Sequence, residues 1–258
     1  MNIKMKSKRG QLTVFIILAL IIIFFIIVLL LNRGDLTSIF TSKSPINQIT
    51  DCTQEALKKG VEILSVQGGA IEPKNYFLYE DHKIDYLCYN IEEMKPCKAQ
   101  KPILKKSIES ELKKYSEVKI KQCIDGVKTD LERKGNSVTY KDPEISIELM
   151  PNNVIANIEL DLQIRKGEST EAYKNIKTDV SSKLYEFSAI ASKIVNDEVT
   201  LGDTETIMYM LANKPWLKLE KKKQIEGTKI YILTDRDSNK QFWFATRSYT
   251  MPPGALKQ

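Results

Sequence analysis

The longest uninterrupted apolar run extends from Val14 to Leu31, and no charged residue falls between Arg9 and Arg33. With Leu12 and Thr13 it makes about 20 helical residues, or roughly 30 Å at 1.5 Å per residue, the thickness of a bilayer's hydrocarbon core. A soluble helix of that length carries a polar face. The pattern therefore predicts a transmembrane helix over residues 11–32. A removable secretory signal has a shorter core of roughly 7–15 residues and a small-x-small cleavage site. The run ends instead in Leu29-Leu30-Leu31-Asn32-Arg33. Lys4, Lys6, Lys8 and Arg9 precede it, whereas Asp35 follows Arg33. The positive-inside rule leaves residues 1–10 as a basic cytoplasmic stub and exports the chain beyond residue 33.

Past the run the periodicity changes. Residues 33–48 read as a short stalk, because Thr37 to Gln48 is rich in Ser and Thr and is broken by Pro45. From Ile49 to Val66 the positions Ile49, Cys52, Ala56, Gly60, Ile63 and Leu64 recur at helical spacing, and Gly68-Gly69 stops the helix. Tyr76 to Tyr79 and Ile84 to Tyr89 form a hairpin around Asp81-His82. Ile103 to Val127 predicts a second helix, with Ile108, Leu112, Tyr115 and Cys123 on one stripe. Its Glu109–Lys113 and Glu117–Lys121 pairs lie four apart on the opposite face.

Glu144 to Leu149 alternates polar and apolar, turns at Pro151-Asn152-Asn153, and resumes through Ile158, Leu160, Leu162 and Ile164. That alternation predicts an antiparallel hairpin with one buried face. Asp179 to Val195 returns to helical period through Leu184, Phe187, Ile190, Ala191, Ile194 and Val195, and Thr204 to Leu211 reads as a short helix. Lys229 to Thr234 and Gln241 to Ala245 flank a turn and close the fold, leaving residues 251–258 as a tail around Pro252-Pro253-Gly254. Without strict β-α-β alternation the class is α+β. The expected architecture is an N-terminal transmembrane helix followed by an exported domain, 49–250, of helices and antiparallel β-hairpins.

Charge changes the picture less than its total suggests. The formal net charge is +6, but Lys4, Lys6, Lys8 and Arg9 supply four of those charges, leaving +2 over the rest. The basic balance reports topology and not a polyanion partner. Lys221-Lys222-Lys223 and Lys105-Lys106 carry no interleaved aromatic rings, so they read as solvated faces and no nucleic acid is expected. The exported length, about 220 residues, is ample for one core or two small ones.

Four cysteines follow the apolar run: Cys52, Cys88, Cys97 and Cys123. An even number in an exported domain reads as disulfides, with three connectivities open. Cys88 and Cys97 are near enough in sequence to close a loop, and Cys52 and Cys123 both lie in helical patterns and can staple two helices. No C-x-x-C spacing supports zinc, so no metal is expected. His82, the only histidine, sits in a charged turn beside Asp81 and Lys83. Nucleophile-elbow, phosphate-loop and zinc-protease motifs are missing. The paired carboxylates that a glycosidase needs have only Glu92-Glu93 and Asp235/Asp237 as candidates, which read as a solvated loop and a hairpin turn. Trp216, Phe242, Trp243 and Phe244 suggest a carbohydrate platform less readily than a core. No N-x-S/T sequon is present. No catalytic or cofactor-binding residue is assigned, and no cofactor is expected.

Lys8-Arg9-Gly10-Gln11, leading straight into the apolar run with Thr13 following, resembles the class III signal peptides of archaeal type IV pilin-like proteins. The resemblance implies cutting between Gly10 and Gln11 with the apolar segment retained. The family's Glu four residues after the Gln is replaced by Phe15, which removes the carboxylate that neutralises a neighbouring subunit's new amine; a desolvated, unpaired amine is costly. Arg9 to Phe15, Cys52 before Gln67-Gly68-Gly69, Cys123, and Phe242-Trp243-Phe244-Ala245-Thr246-Arg247 together resemble a group of uncharacterised archaeal single-span membrane proteins, which implies architecture and location alone. The expectation is a single-pass membrane protein with a cytoplasmic N-terminus and an extracellular C-terminal domain. Its ectodomain is non-enzymatic, structural or recognition in role, with the bilayer, like subunits and other envelope proteins as partners. A tethered hydrolase of envelope glycans or peptides is the alternative.

Overall fold

The structure, a computed structural model, describes residues 17–24, 43–93, 95–213 and 215–250. The chain divides into two compact units, residues 1–44 and residues 45–258. In the second, the elements are α1 (Pro45–Val66), β1 (Tyr76–Tyr79), β2 (His82–Tyr89), β3 (Lys98–Ala99), α2 (Leu104–Arg133), β4 (Ser137–Thr139) and β5 (Glu144–Met150). There follow β6 (Asn153–Lys166), β7 (Ser169–Ser181), α3 (Leu184–Leu201), α4 (Thr206–Ala212), β8 (Leu217–Lys223), β9 (Thr228–Asp235) and β10 (Gln241–Arg247).

Helix α1 starts four residues before the helical spacing becomes legible, taking Pro45 from the expected stalk into its first turn. Proline is tolerated there because a first-turn N–H has no intrahelical acceptor. The helix buries Ile49, Leu57 and Leu64 completely and packs along α2. The two helices approach closely at Gly60, where a Cβ would run into Leu112 and come within 2.9 Å of the Tyr115 ring. The β1–β2 turn is Glu80-Asp81, both at positive φ, 46° and 62°, as a two-residue hairpin loop of matching twist requires.

Two sheets flank these helices in sequence. The first runs β1-β2-β10-β9-β8, with β3 added to β2. In the second, β5 pairs with the first half of β6 and β4 with its last residues, while β7 pairs along almost its whole length. One continuous core takes residues from α1, α2, α3 and both sheets, including Phe187, Tyr231, Phe242 and Phe244. A smaller cluster lies on the other face of the first sheet, built from Ile84, Tyr86, Ile230, Ile232, Trp243 and Ala245. Every described core residue belongs to unit 45–258, as do all four cysteines.

Three expectations are corrected. The α+β class stands, but the sheets are mixed and not purely antiparallel hairpins: β10 pairs β2 in parallel, and the Asn90 N–H extends the ladder to Arg247 O at 3.1 Å. Parallel neighbours need a long crossover, and here the whole stretch from α2 to β9 supplies it. The expected transmembrane helix is not found either, since no helix among the described residues is long and apolar enough to cross a membrane. Of that segment, residues 17–24 are described and are helical. The rest of 11–32, residues 1–10, 33–42 and the expected tail 251–258 lie outside the described residues.

The third correction concerns Asp179, read as the start of a helix. It belongs to β7, paired with Ile155, and the helix begins only at Leu184 after Ser182 Oγ accepts its N–H at 3.2 Å. At its other end α3 stops on Gly202, in the left-handed region at φ 73°. A Cβ there would collide with the backbone oxygen of Tyr249. The left-handed conformation and the overlap each cost on the order of 1–3 kcal/mol. Gly202→Ala is therefore expected to destabilise by about 2–6 kcal/mol in urea unfolding, with a loss under about 1 kcal/mol contradicting this account.

Candidate functional site

One face of α1 carries Lys58, Val61, Glu62 and Ser65, spaced three and four residues apart so that they share a side. Opposite them the end of β7 and its link to α3 present Val180, Ser181, Ser182 and Lys183, and the β9–β10 turn with the start of β10 brings Asn239 to Gln241. The three elements enclose a cavity of about 340 Å³. Phe187 contributes to its wall while remaining only 2% exposed, held by an offset stack on Phe242 with ring centroids 6.3 Å apart. Val61, Val66 and Val180 complete the apolar wall.

The polar groups at its rim are mainly cationic. Lys240 Nζ donates to Ser181 O at 3.1 Å. Lys183 Nζ donates to Asn152 Oδ1 and lies 5.4 Å from the Trp216 ring centroid. Those partners are neutral, and among the described residues neither ammonium, nor that of Lys58, is ion-paired. Glu62 is the carboxylate on the lining, and it is exposed.

A second constellation is buried. Glu198 on α3 is inaccessible and receives Lys229 Nζ at 2.7 Å and the Tyr231 hydroxyl. Lys229 also donates to Gly202 O and lies 3.4 Å from Asp203, which receives Lys221 Nζ at 2.8 Å. Burial pushes the Glu198 carboxyl above its ordinary range, outweighing Lys229 and Tyr231, and pushes the Tyr231 hydroxyl up too. At Asp203 burial is the largest single influence, but the Lys221 hydrogen bond and the Lys229 charge together hold it below its ordinary range. Asp85, 7% exposed, is likewise raised by burial against the opposing Lys101, 2.5 Å away. These groups tie α3 to β9 and β2 to the β3–α2 link.

The residues singled out in the sequence fall elsewhere. Cys52 and Cys123 lie at disulfide distance with Cα atoms 6.5 Å apart, joining α1 to α2, and Cys88 and Cys97 do the same at 5.4 Å. Gly10 and Gln11 lie outside the described residues. His82 Nδ1 donates to Glu80 O at 2.6 Å, and the ring meets Trp243 edge-on at 5.4 Å between centroids. Trp243 is 8% exposed with its Nε1 donating to Gln241, while Phe242 and Phe244 are fully buried, so these rings form no exposed platform. Glu92 pairs with Lys95 on the surface. Asp235 organises the β9–β10 turn by accepting from Ser238. Lys221-Lys222-Lys223 is the end of edge strand β8.

The cavity residues escaped the sequence reading because nothing local links Lys58, Lys183 and Lys240. Glu198 did leave a signal. It follows Ala191, Ile194 and Val195 on the buried stripe of α3, where a carboxylate needs a partner. No protein-family model matches the chain, and no curated protein or solved structure matches it.

Proposed function

We propose that the chain is a membrane-anchored cell-surface protein whose unit 45–258 performs recognition or structural work and not chemistry. The observation that carries this reading is the cavity between α1, the β7–α3 link and the β9–β10 turn. Its wall is apolar and its rim holds amines, whereas the carboxylates with raised proton affinity, Asp85 and Glu198, are held in buried ion pairs elsewhere. Such a site binds by apolar burial and charge. A hydrolase would instead need an acid and a base converging on one cleft.

The surface location is supported by the basic stub ahead of an apolar segment and by cysteines that come together in two pairs, a usage typical of oxidising compartments. The likeness of Lys8-Arg9-Gly10-Gln11 to class III signal peptides supports processing after Gly10, with like subunits or other envelope proteins as partners, although Phe15 leaves a new amine without the carboxylate that pilin packing uses. Protease added to intact cells is expected to cut the region beyond Arg33, and mass spectrometry of the mature chain is expected to find Gln11 first. A region cut only after lysis would overturn the surface location. An intact Met1 start would overturn the pilin-like processing.

A further inference from the structure

We propose that the cavity beside Phe187 binds an anionic amphiphile, an unbranched hydrocarbon chain ending in a carboxylate or phosphate. The chain lies against Val61, Val66, Val180 and Phe187, and the head sits among Lys58, Lys183 and Lys240. This deepens the recognition reading and rests on it, in that the cavity is taken as a binding site.

Size, wall and charge each narrow the ligand. A cavity of about 340 Å³ open to solvent has room for a medium-length chain, so six- to ten-carbon acids are the probes. Most of the exposed wall area is apolar, from Val61, Val66, Val180 and Phe187, although Ser65, Ser182, Asn239 and Gln241 also reach the lining; a hydrocarbon chain gains more from that wall than a ligand that is polar throughout.

The rim then selects the sign of the head group. Lys240 and Lys183 spend donors on a carbonyl and an amide oxygen, which leaves their charge unneutralised. Lys58 adds a third ammonium from across the cavity. Against them stand the exposed Glu62 and, beside Asn152, Glu186, whose Oε1 accepts the Asn152 N–H. The balance at the rim is positive, and a carboxylate or phosphate there gains charge-assisted hydrogen bonds. A cationic head would meet like charge.

Isothermal calorimetry on residues 45–258, which hold the whole described core and all four cysteines, tests this with hexanoate, octanoate, decanoate and decyl phosphate. Affinity is expected to rise about fourfold per methylene, with decyltrimethylammonium failing to bind. Lys183→Gln with Lys240→Gln is expected to weaken decanoate by about tenfold or more while leaving decanol unchanged. Ser65→Phe, on the half-exposed face of α1, is expected to block all of them with thermal unfolding unaltered.

Sedimentation with phosphatidylcholine vesicles, with and without phosphatidylglycerol, separates the sources. Uptake on anionic vesicles alone marks a bilayer lipid, and binding of free decanoate without uptake marks a soluble amphiphile; either supports the proposal. Absence of both, equal affinity for decanoate and decyltrimethylammonium, or indifference to the lysine substitutions overturns it. The surface reading then still stands or falls on proteolysis of intact cells.

Discussion

Glu198→Gln is expected to lower the stability of the folded chain by about 1–3 kcal/mol, the cost of exchanging a carboxylate that accepts from both Lys229 and Tyr231 for an amide with one acceptor oxygen. The substitution keeps the side chain's size but strips Lys229 of its counter-charge, and Lys229 is itself only 7% exposed. Lys229→Met is expected to cost a similar amount by leaving Glu198 alone. The double variant should lose clearly less than the sum of the two, since neither charge is then stranded. Urea unfolding followed by tryptophan fluorescence measures all three, and strict additivity would show that the two residues do not act as a pair.

Acid gives the same network a second signature. The Glu198 carboxyl is raised in the folded state, chiefly by burial, so the folded chain takes up this proton before the unfolded chain does. Its contribution is fully present below the ordinary glutamate range and is lost as the pH rises through the folded value. As the pH falls through the folded Glu198 value toward the ordinary glutamate range, wild type is therefore expected to gain stability relative to Glu198→Gln, whose side chain cannot titrate.

Removing the Cys52–Cys123 closure is expected to cost about 4 kcal/mol, from the loop entropy released to the unfolded chain by a separation of 71 residues. The shorter Cys88–Cys97 loop, separation 9, gives about 3 kcal/mol by the same argument. Cys52 and Cys123 are only half-buried, so serine at either position leaves little packing defect. Each single variant, Cys52→Ser or Cys123→Ser, should lose about as much as the double, because either one opens the same covalent loop. Losses that add would assign the effect to side-chain packing.

Reading local pattern works where local pattern is the cause. The stripes of α1 and α3 and the alternation of β5 and β6 are visible because one face of each is buried and the other wet; on α2 the reading failed at Glu109, expected on the wet face but buried and accepting the Leu149 N–H at 2.9 Å. Strand β7 escaped because it is an edge strand exposed along most of its length, so Ser169 to Asn175 shows no alternation to detect. Strand β8 escaped because Lys218, Lys221, Lys222 and Lys223 dominate it, and lysine on an edge is how a sheet avoids further pairing. The cavity shows the same limit. Lys58, Lys183 and Lys240 each look like a solvated lysine until α1, α3 and the β9–β10 turn bring them to one rim.

The sequence alone determined the long apolar segment with its basic flank, the α+β class, the approximate helices and hairpins, and an even cysteine count. Each of these depends on residues within a few turns or strands of one another. Tertiary structure decided that β10 lies parallel to β2, which cysteine faces which, that Glu198 meets Lys229, and that a lysine-rimmed cavity forms beside Phe187. These are meetings between distant segments. They are set by how whole apolar faces bury one another, a condition that no single stretch of the chain records.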